Sequence, residues 1–126
     1  MSDSALRRSL IAIAALTVCT GAAQVLAPRR MLAPLAAEDD ATTRHFFGTV
    51  GMFMVVVGGG LLHALLRSRS DQGVVFFAGV QKLGASAAVA LGVRRRIFSP
   101  LALIVAGFDL LSGVVAFAYW RRVRES

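Results

Sequence analysis

The residues most able to do chemistry in this chain are one lysine and one aspartate, each set deep in an apolar stretch. Lys82 stands near the middle of the apolar run 74–93, and Asp109 near the middle of the run 101–120. If both runs are helices and pack antiparallel, Lys82 lies about ten residues and Asp109 about eight from the same end, so their depths differ by only about 3 Å. Either charge alone at the centre of a bilayer costs at least ~2.5–3.5 kcal/mol, and a contact between the two removes much of that penalty. Such a pair has two uses. It can fix helix register as a structural ion pair, or it can carry protons or ions or touch a ligand. With a single pair in a chain of 126 residues, the structural use is the expectation.

The residues around the pair agree with a close contact. Ala78, Gly79, Lys82 and Ser86 share one helical face, and Ala102, Val105, Ala106, Asp109, Ser112, Gly113 and Ala116 share another. Small residues let membrane helices approach. Ile104, Phe108, Leu111 and Val115 lie on the opposite face and suit lipid. Gln81 sits about 100° round from Lys82 and faces a second neighbour. Thr17, Thr20 and Gln24 form an i, i+3, i+7 stripe that is expected to turn inward and hydrogen-bond between helices. The intramembrane candidates are therefore Lys82, Asp109, Gln81, Ser86 and Ser112, with Gln24 and His63 in second rank.

Other chemistries find little support. His45 and His63 are 18 residues apart on one run, about 27 Å along a helix, so they cannot share a metal within one chain, and a haem would have to bridge subunits. His63 reads as an interfacial histidine. No metal site and no resident cofactor is expected, quinone and haem being the groups to test for. The sequence has no G-x-S-x-G, H-E-x-x-H, C-x-x-C or Walker-type loop. Gly58-Gly59-Gly60 is followed by apolar residues and reads as a packing or bending element. Gly84, Ala88 and Gly92 form a small-residue ridge suited to another tight contact, within the chain or in a homo-oligomer. The one cysteine, Cys19, excludes an internal disulfide. No catalytic residue is assigned, and an enzyme is not the expectation.

The elements that must hold these residues are four apolar runs, at 9–26, 46–66, 74–93 and 101–120. Each has the length that crosses a hydrocarbon core of roughly 30 Å, and lipid leaves unpaired backbone groups no partner, so each run must be a helix. Apolar residues make up 56% of the chain and the mean hydropathy is +0.68, more than one small soluble core can absorb. The net charge of +7 sits in arginine clusters between the runs, a membrane-flanking pattern that argues against nucleic acid. Phe46-Phe47, Phe76-Phe77, Phe98 and Tyr119-Trp120 lie near run ends, where rings anchor a span. The fold class is all-α, a single four-helix antiparallel transmembrane bundle covering 1–126.

Short links at 67–73 and 94–100 make the second, third and fourth helices antiparallel neighbours. Ser99-Pro100 is expected to start the fourth helix, and Thr42 or Thr43 to cap the second. In the long link 27–45, Met31, Leu32 and Leu35 dip toward the interface while Glu38, Asp39 and Asp40 stay in water. Arg7-Arg8 before an apolar run has a signal-peptide look, with Gly21-Ala22-Ala23 as a cleavage site, but the run is expected to be retained as a span. With four spans the termini share a side. Arg7, Arg8, Arg67, Arg69, Arg121, Arg122 and Arg124 fall there, against Arg29, Arg30, Arg44, Arg94, Arg95 and Arg96 opposite, a slight preference for both termini inside.

The segment Gly79-Val80-Gln81-Lys82-Leu83 resembles the Gly-x-x-Lys-Leu signature of DoxX-like membrane proteins. The length, the four-span layout, Pro28 after the first run and the polar group in the fourth are similar too. In that family the signature belongs to an earlier helix, whereas here it falls in the third. The resemblance implies a four-helix bacterial membrane protein, from a family named for a quinol oxidase subunit, with Lys82 as the candidate site. The expected function is a non-enzymatic accessory or assembly subunit in a bacterial cytoplasmic membrane, its partners being the lipid bilayer and another membrane protein or further copies of itself. The alternative is a minimal carrier or binder of a small lipophilic or ionic ligand, such as a quinone, through Lys82, Asp109 and Gln81.

Overall fold

The structure, a computed structural model, describes residues 2–67 and 71–125. Those residues form five α-helices and no strand: α1 (Asp3–Leu26), α2 (Pro28–Leu32), α3 (Ala41–Leu66), α4 (Gln72–Arg94) and α5 (Ala102–Glu125), with a 3-10 turn at Ala33–Leu35 after α2. The four long helices, α1, α3, α4 and α5, are each long and apolar enough to cross a membrane. Arg69 of the terminal-side arginines lies outside the described residues.

Three of the long helices, α1, α3 and α4, begin before their apolar runs because polar side chains cap them in advance. Ser2 Oγ accepts from the Ala5 amide at 3.1 Å, and Asp71 Oδ1 accepts from Gly73 at 2.8 Å and Val74 at 3.2 Å. The cap of α3 is Asp40, whose Oδ1 accepts from the Thr43 amide at 2.7 Å. This corrects the expected Thr42 or Thr43 cap: both threonines lie within the first turn, and a carboxylate there also meets the positive end of the helix dipole. The Thr43 amide holds the Asp40 carboxyl below its ordinary value. α4 ends with the paired Schellman bonds, Arg96 N–H to Val93 and Ile97 N–H to Gly92, with Arg96 in the left-handed conformation usually filled by glycine (φ 60°). The Phe98 ring then folds over Gly92, where a Cβ would come within 2.5 Å of it.

α5 starts at Ala102, not at Ser99-Pro100. Ser99 is spent elsewhere: its amide donates to Leu35 O at 2.7 Å and its hydroxyl to Pro34 O at 3.1 Å. These two bonds tie the α4–α5 link to the α1–α3 link at one end of the molecule. At the other end Arg122 pairs with Asp3 at 3.0 Å, and the Arg7 guanidinium donates to the Leu65 carbonyl.

Packing is dominated by two pairs, α1 with α3 and α4 with α5, joined into a ring by lesser α1–α5 and α3–α4 contacts. In the first pair Arg7 meets Leu65, Thr17 meets Gly58 and Gly21 meets Gly51, so one number rises as the other falls. In the second, Gly79 lies under Phe117, Leu83 on Gly113, and Ser86 Oγ donates to Ala106 O at 2.7 Å. The second and third apolar helices are thus weaker neighbours than their short link suggested. The reason is the backbone approach at Gly21 and Gly51, which commits α3 to α1: a Cβ on Gly21 would stand 2.5 Å from the Gly51 carbonyl oxygen, and one on Gly51 2.6 Å from that of Gly21.

The inward face of α1 is Leu6, Leu10, Ala14, Thr17, Gly21 and Gln24. Thr20 is exposed, a departure from the expected polar stripe. On α5, Val105 is exposed and Val115 packs against the core, the reverse of their expected sides. Tyr119 is also buried, while Phe76, Phe117 and Trp120 form a ring cluster with centroids 5.2–6.3 Å apart. Leu32 is buried inside the protein. Leu6, Leu10, Leu61, Leu65, Val75 and Tyr119 make the apolar core. At most 39% of any helix's apolar window is buried inside the protein. Val50, Phe53, Val56, Phe77, Ile104 and Leu111 all face outward, so the interior cannot be what solvates them.

Candidate functional site

The site is assembled on three helices. α4 presents Lys82 and α5 presents Asp109, both buried, with Lys82 Nζ 3.4 Å from Asp109 Oδ1. The pair expected from the antiparallel register therefore forms. Its tightest bond goes elsewhere. Lys82 Nζ donates to Thr17 Oγ1 at 2.6 Å, reaching α1 across the centre of the ring. Thr17 in turn donates its hydroxyl proton to Ile13 O at 2.8 Å. With that proton committed along α1, the hydroxyl oxygen offers a lone pair to the ammonium, the only polarity that suits a group with donors alone. The Phe108 ring, expected to face only lipid, also stands 5.6 Å from Nζ, where its negative π-face attracts a cation.

The 3.4 Å separation from Asp109 exceeds the 2.7–2.9 Å usual for a charge-assisted hydrogen bond. The carboxylate compensates the charge at short range, and the threonine supplies the close bond. Small residues make this possible. Ala78 and Gly79 on α4 and Ala106 and Gly113 on α5 are buried beside the pair, and Ser86 ties the same interface through Ala106.

The other candidates divide. Ser112 is buried one turn along from Asp109, and its Oγ has no hydrogen-bond partner. Gln81 Oε1 is likewise buried without a partner. Gln24 leaves the cluster and donates to Phe47 O at 3.1 Å, locking the end of α1 to the start of α3. His63 is exposed at the far end of α3, 3.2 Å from Arg67 Nη1, and His45 is exposed at the other end. The two histidines stay apart, and no three His, Cys, Asp or Glu among the described residues group as metal ligands. Of the small-residue ridge, Gly92 is covered by Phe98 while Gly84 and Ala88 face outward. Neither of two surface grooves, one lined by Arg44, His45 and Met52 and the other by Asp3, Arg7 and Tyr119, borders Lys82 or Asp109.

No protein-family model, characterised protein or solved structure matches this chain.

Thr17 was present in the sequence as part of an inward stripe, but not as a ligand of Lys82. A signal did exist. Thr17 stands nine residues from Leu26 and Asp109 seven from Ala102, at the same end, so their depths differ by about 3 Å.

Proposed function

We propose that this chain is a multi-pass integral membrane protein, an antiparallel bundle of four transmembrane helices in a bacterial cytoplasmic membrane with both termini inside. It serves as a non-enzymatic accessory or assembly subunit of a larger membrane system. The observation that carries this reading is the distribution of polar and small residues. The two mid-helix charges are answered from within, whereas glycines open outward on the apolar surface. Nothing lies within 4 Å of a Cβ built on Gly59, Gly60, Gly84 or Gly107. Outward-facing glycines in an apolar belt allow the backbone of another helix to approach closely. The resemblance of residues 79–83 to DoxX-like proteins supports the same reading.

Two measurements test it. Cys19 is exposed near the middle of the apolar run 9–26, so in sealed vesicles it should react with a lipophilic maleimide and resist a charged one. Labelling by both at equal rates would remove the bilayer from the proposal. Native mass spectrometry after mild detergent extraction should then find a stoichiometric protein partner. A bare monomer would sink the accessory role.

One observation favours a second reading, a binder of a small lipophilic molecule such as a quinone. Ser112 Oγ, one turn from Asp109, and Gln81 Oε1, about 100° round α4 from Lys82, are buried and unpartnered, and unpaired buried polar atoms call for a reason. A retained small molecule of constant mass, lost in Ser112→Ala, would decide for it.

A further inference from the structure

A groove of about 590 Å3 opens between the end of α1 and the start of α3. Val25 and Pro28 form one wall, and Arg44, His45, Gly48 and Met52 line the other. From His45 to Met52 the groove descends about 10 Å along α3. Its upper part is basic. Its lower part, lined by Val25, Gly48, Thr49 and Met52 with the Thr49 hydroxyl donating back to the His45 carbonyl at 3.0 Å, is mainly apolar and lies within the stretch that begins at Phe46. At the same end of the molecule, the α4–α5 link is hydrogen-bonded to the α1–α3 link through Ser99. The two links and the helix turns that flank them hold six arginines (Arg29, Arg30, Arg44, Arg94, Arg95 and Arg96) against Glu38, Asp39 and Asp40.

One carboxylate already sits at the groove's upper edge. Asp39 Oδ1 is 2.7 Å from Arg44 Nη1, and its Oδ2 is 3.6 Å from Arg29 Nε. The Arg44 side chain remains partly exposed and that of Arg29 largely so. An internal anion thus holds two guanidinium groups at a position where a phosphate could take its place.

We infer that this groove binds one anionic phospholipid, its phosphate at Arg44 and His45 and an acyl chain lying along Val25 and Met52, with Asp39 as the internal competitor for the arginines. The inference rests on the membrane placement proposed above. Charge complementarity and the basic-over-apolar order of the walls single out this occupant: a free phosphate would leave the lower half unfilled, and a zwitterionic lipid would bring no net charge to the arginines. Gly48 keeps the floor open. A Cβ there would meet only the Gln24 carbonyl oxygen, at an ordinary 3.7 Å, so the position accepts a side-chain carbon in the groove without parting α1 from α3.

The test reconstitutes the full chain in vesicles holding equal amounts of a zwitterionic and an anionic phospholipid. It is then re-extracted in mild detergent, and bound lipid is counted by native mass spectrometry. One anionic lipid should be retained about tenfold over the zwitterionic one, as one or two basic contacts provide. Gly48→Leu should bring the ratio to parity, and Asp39→Asn should raise it about threefold or more. Excess inorganic phosphate should leave the bound lipid in place. Parity in the unsubstituted protein, an unchanged ratio in Gly48→Leu, or displacement by phosphate would each overturn the inference. Flotation of the protein with the vesicles separates the two failures: a protein that does not float refutes the membrane placement, and one that floats without lipid preference refutes only the groove.

Discussion

Lys82 on α4 and Thr17 on α1 meet at 2.6 Å although 65 positions separate them and their helices face each other across the bundle. With Asp109 on α5 at 3.4 Å, a single ammonium joins three of the four long helices at one point. Its contribution to the fold is therefore testable by removing each partner in turn.

Lys82→Met leaves Asp109 buried without its countercharge, and Asp109→Leu leaves Lys82 in the same state. Each should destabilise the protein by about 3–5 kcal/mol. The double variant should recover most of that loss, because an apolar pair of similar volume carries no desolvation penalty. Thermal unfolding in detergent reads the cycle. A double variant that folds and still associates with its partner would end the relay reading, whereas one that folds but has lost a bound ligand would favour it.

Thr17→Val keeps the shape and removes the hydroxyl. The expected cost is about 1–2 kcal/mol, since the ammonium loses its closest acceptor but keeps the carboxylate. Thr17→Ser should keep the bond and lose only the methyl. If the Ser variant melts below the Val variant, the packing of the threonine methyl against Gly58 matters more than the hydrogen bond.

The glycines separate into two groups with opposite expectations. Gly21→Ala and Gly51→Ala place a Cβ 2.5–2.6 Å from a facing carbonyl oxygen, and each should cost about 1–3 kcal/mol through forced separation of α1 and α3. Gly59→Ala and Gly84→Ala meet nothing in the chain, and should be neutral or stabilising by up to about 1 kcal/mol in the isolated protein. Gly84→Leu measured for complex formation tells more. Loss of a partner with unchanged melting would map the contact to that face.

The pH dependence of the α3 start follows from Asp40. Its folded value is lowered by the Thr43 amide, so the stabilisation is fully present above the unfolded aspartate value of about 3.9 and fades as pH falls through the lower folded value. Protection of the Thr43 amide, taken as observed exchange relative to the intrinsic rate at each pH, should fall as the medium is acidified below pH ~4. Asp40→Asn keeps a cap without the charge, and its protection should not change over that range.

The Lys82–Asp109 contact was legible because two apolar runs with a short link leave one plausible register, and two charges at equal depth in lipid have strong reason to meet. The choice of inward face on α1 was harder. A polar stripe through Thr17, Thr20 and Gln24 looked decisive, yet the helix turns so that Gly21 rather than Thr20 meets α3. Lipid is as apolar as a leucine core, so hydrophobic contrast does not orient such a helix. Close backbone approach does, and it depends on which two glycines come opposite one another. The cap at Asp40 escaped because apolar run length marks where lipid begins, not where the helix begins. Neither the diagonal reach of Lys82 to Thr17 nor the two ties of Ser99 to the other link could be read from any one helix, since each needs the arrangement of all four.

The three-way contact also has a direction in time. The chain emerges from the ribosome with Thr17 first, Lys82 next and Asp109 27 positions after that. At ~5–20 residues per second, the lysine precedes its countercharge by on the order of a few seconds. During that interval α1 and α3 are already made, and the Thr17 hydroxyl is on hand. In the membrane placement proposed above, a threonine that receives the ammonium early shields the lysine of the incoming helix before its countercharge exists.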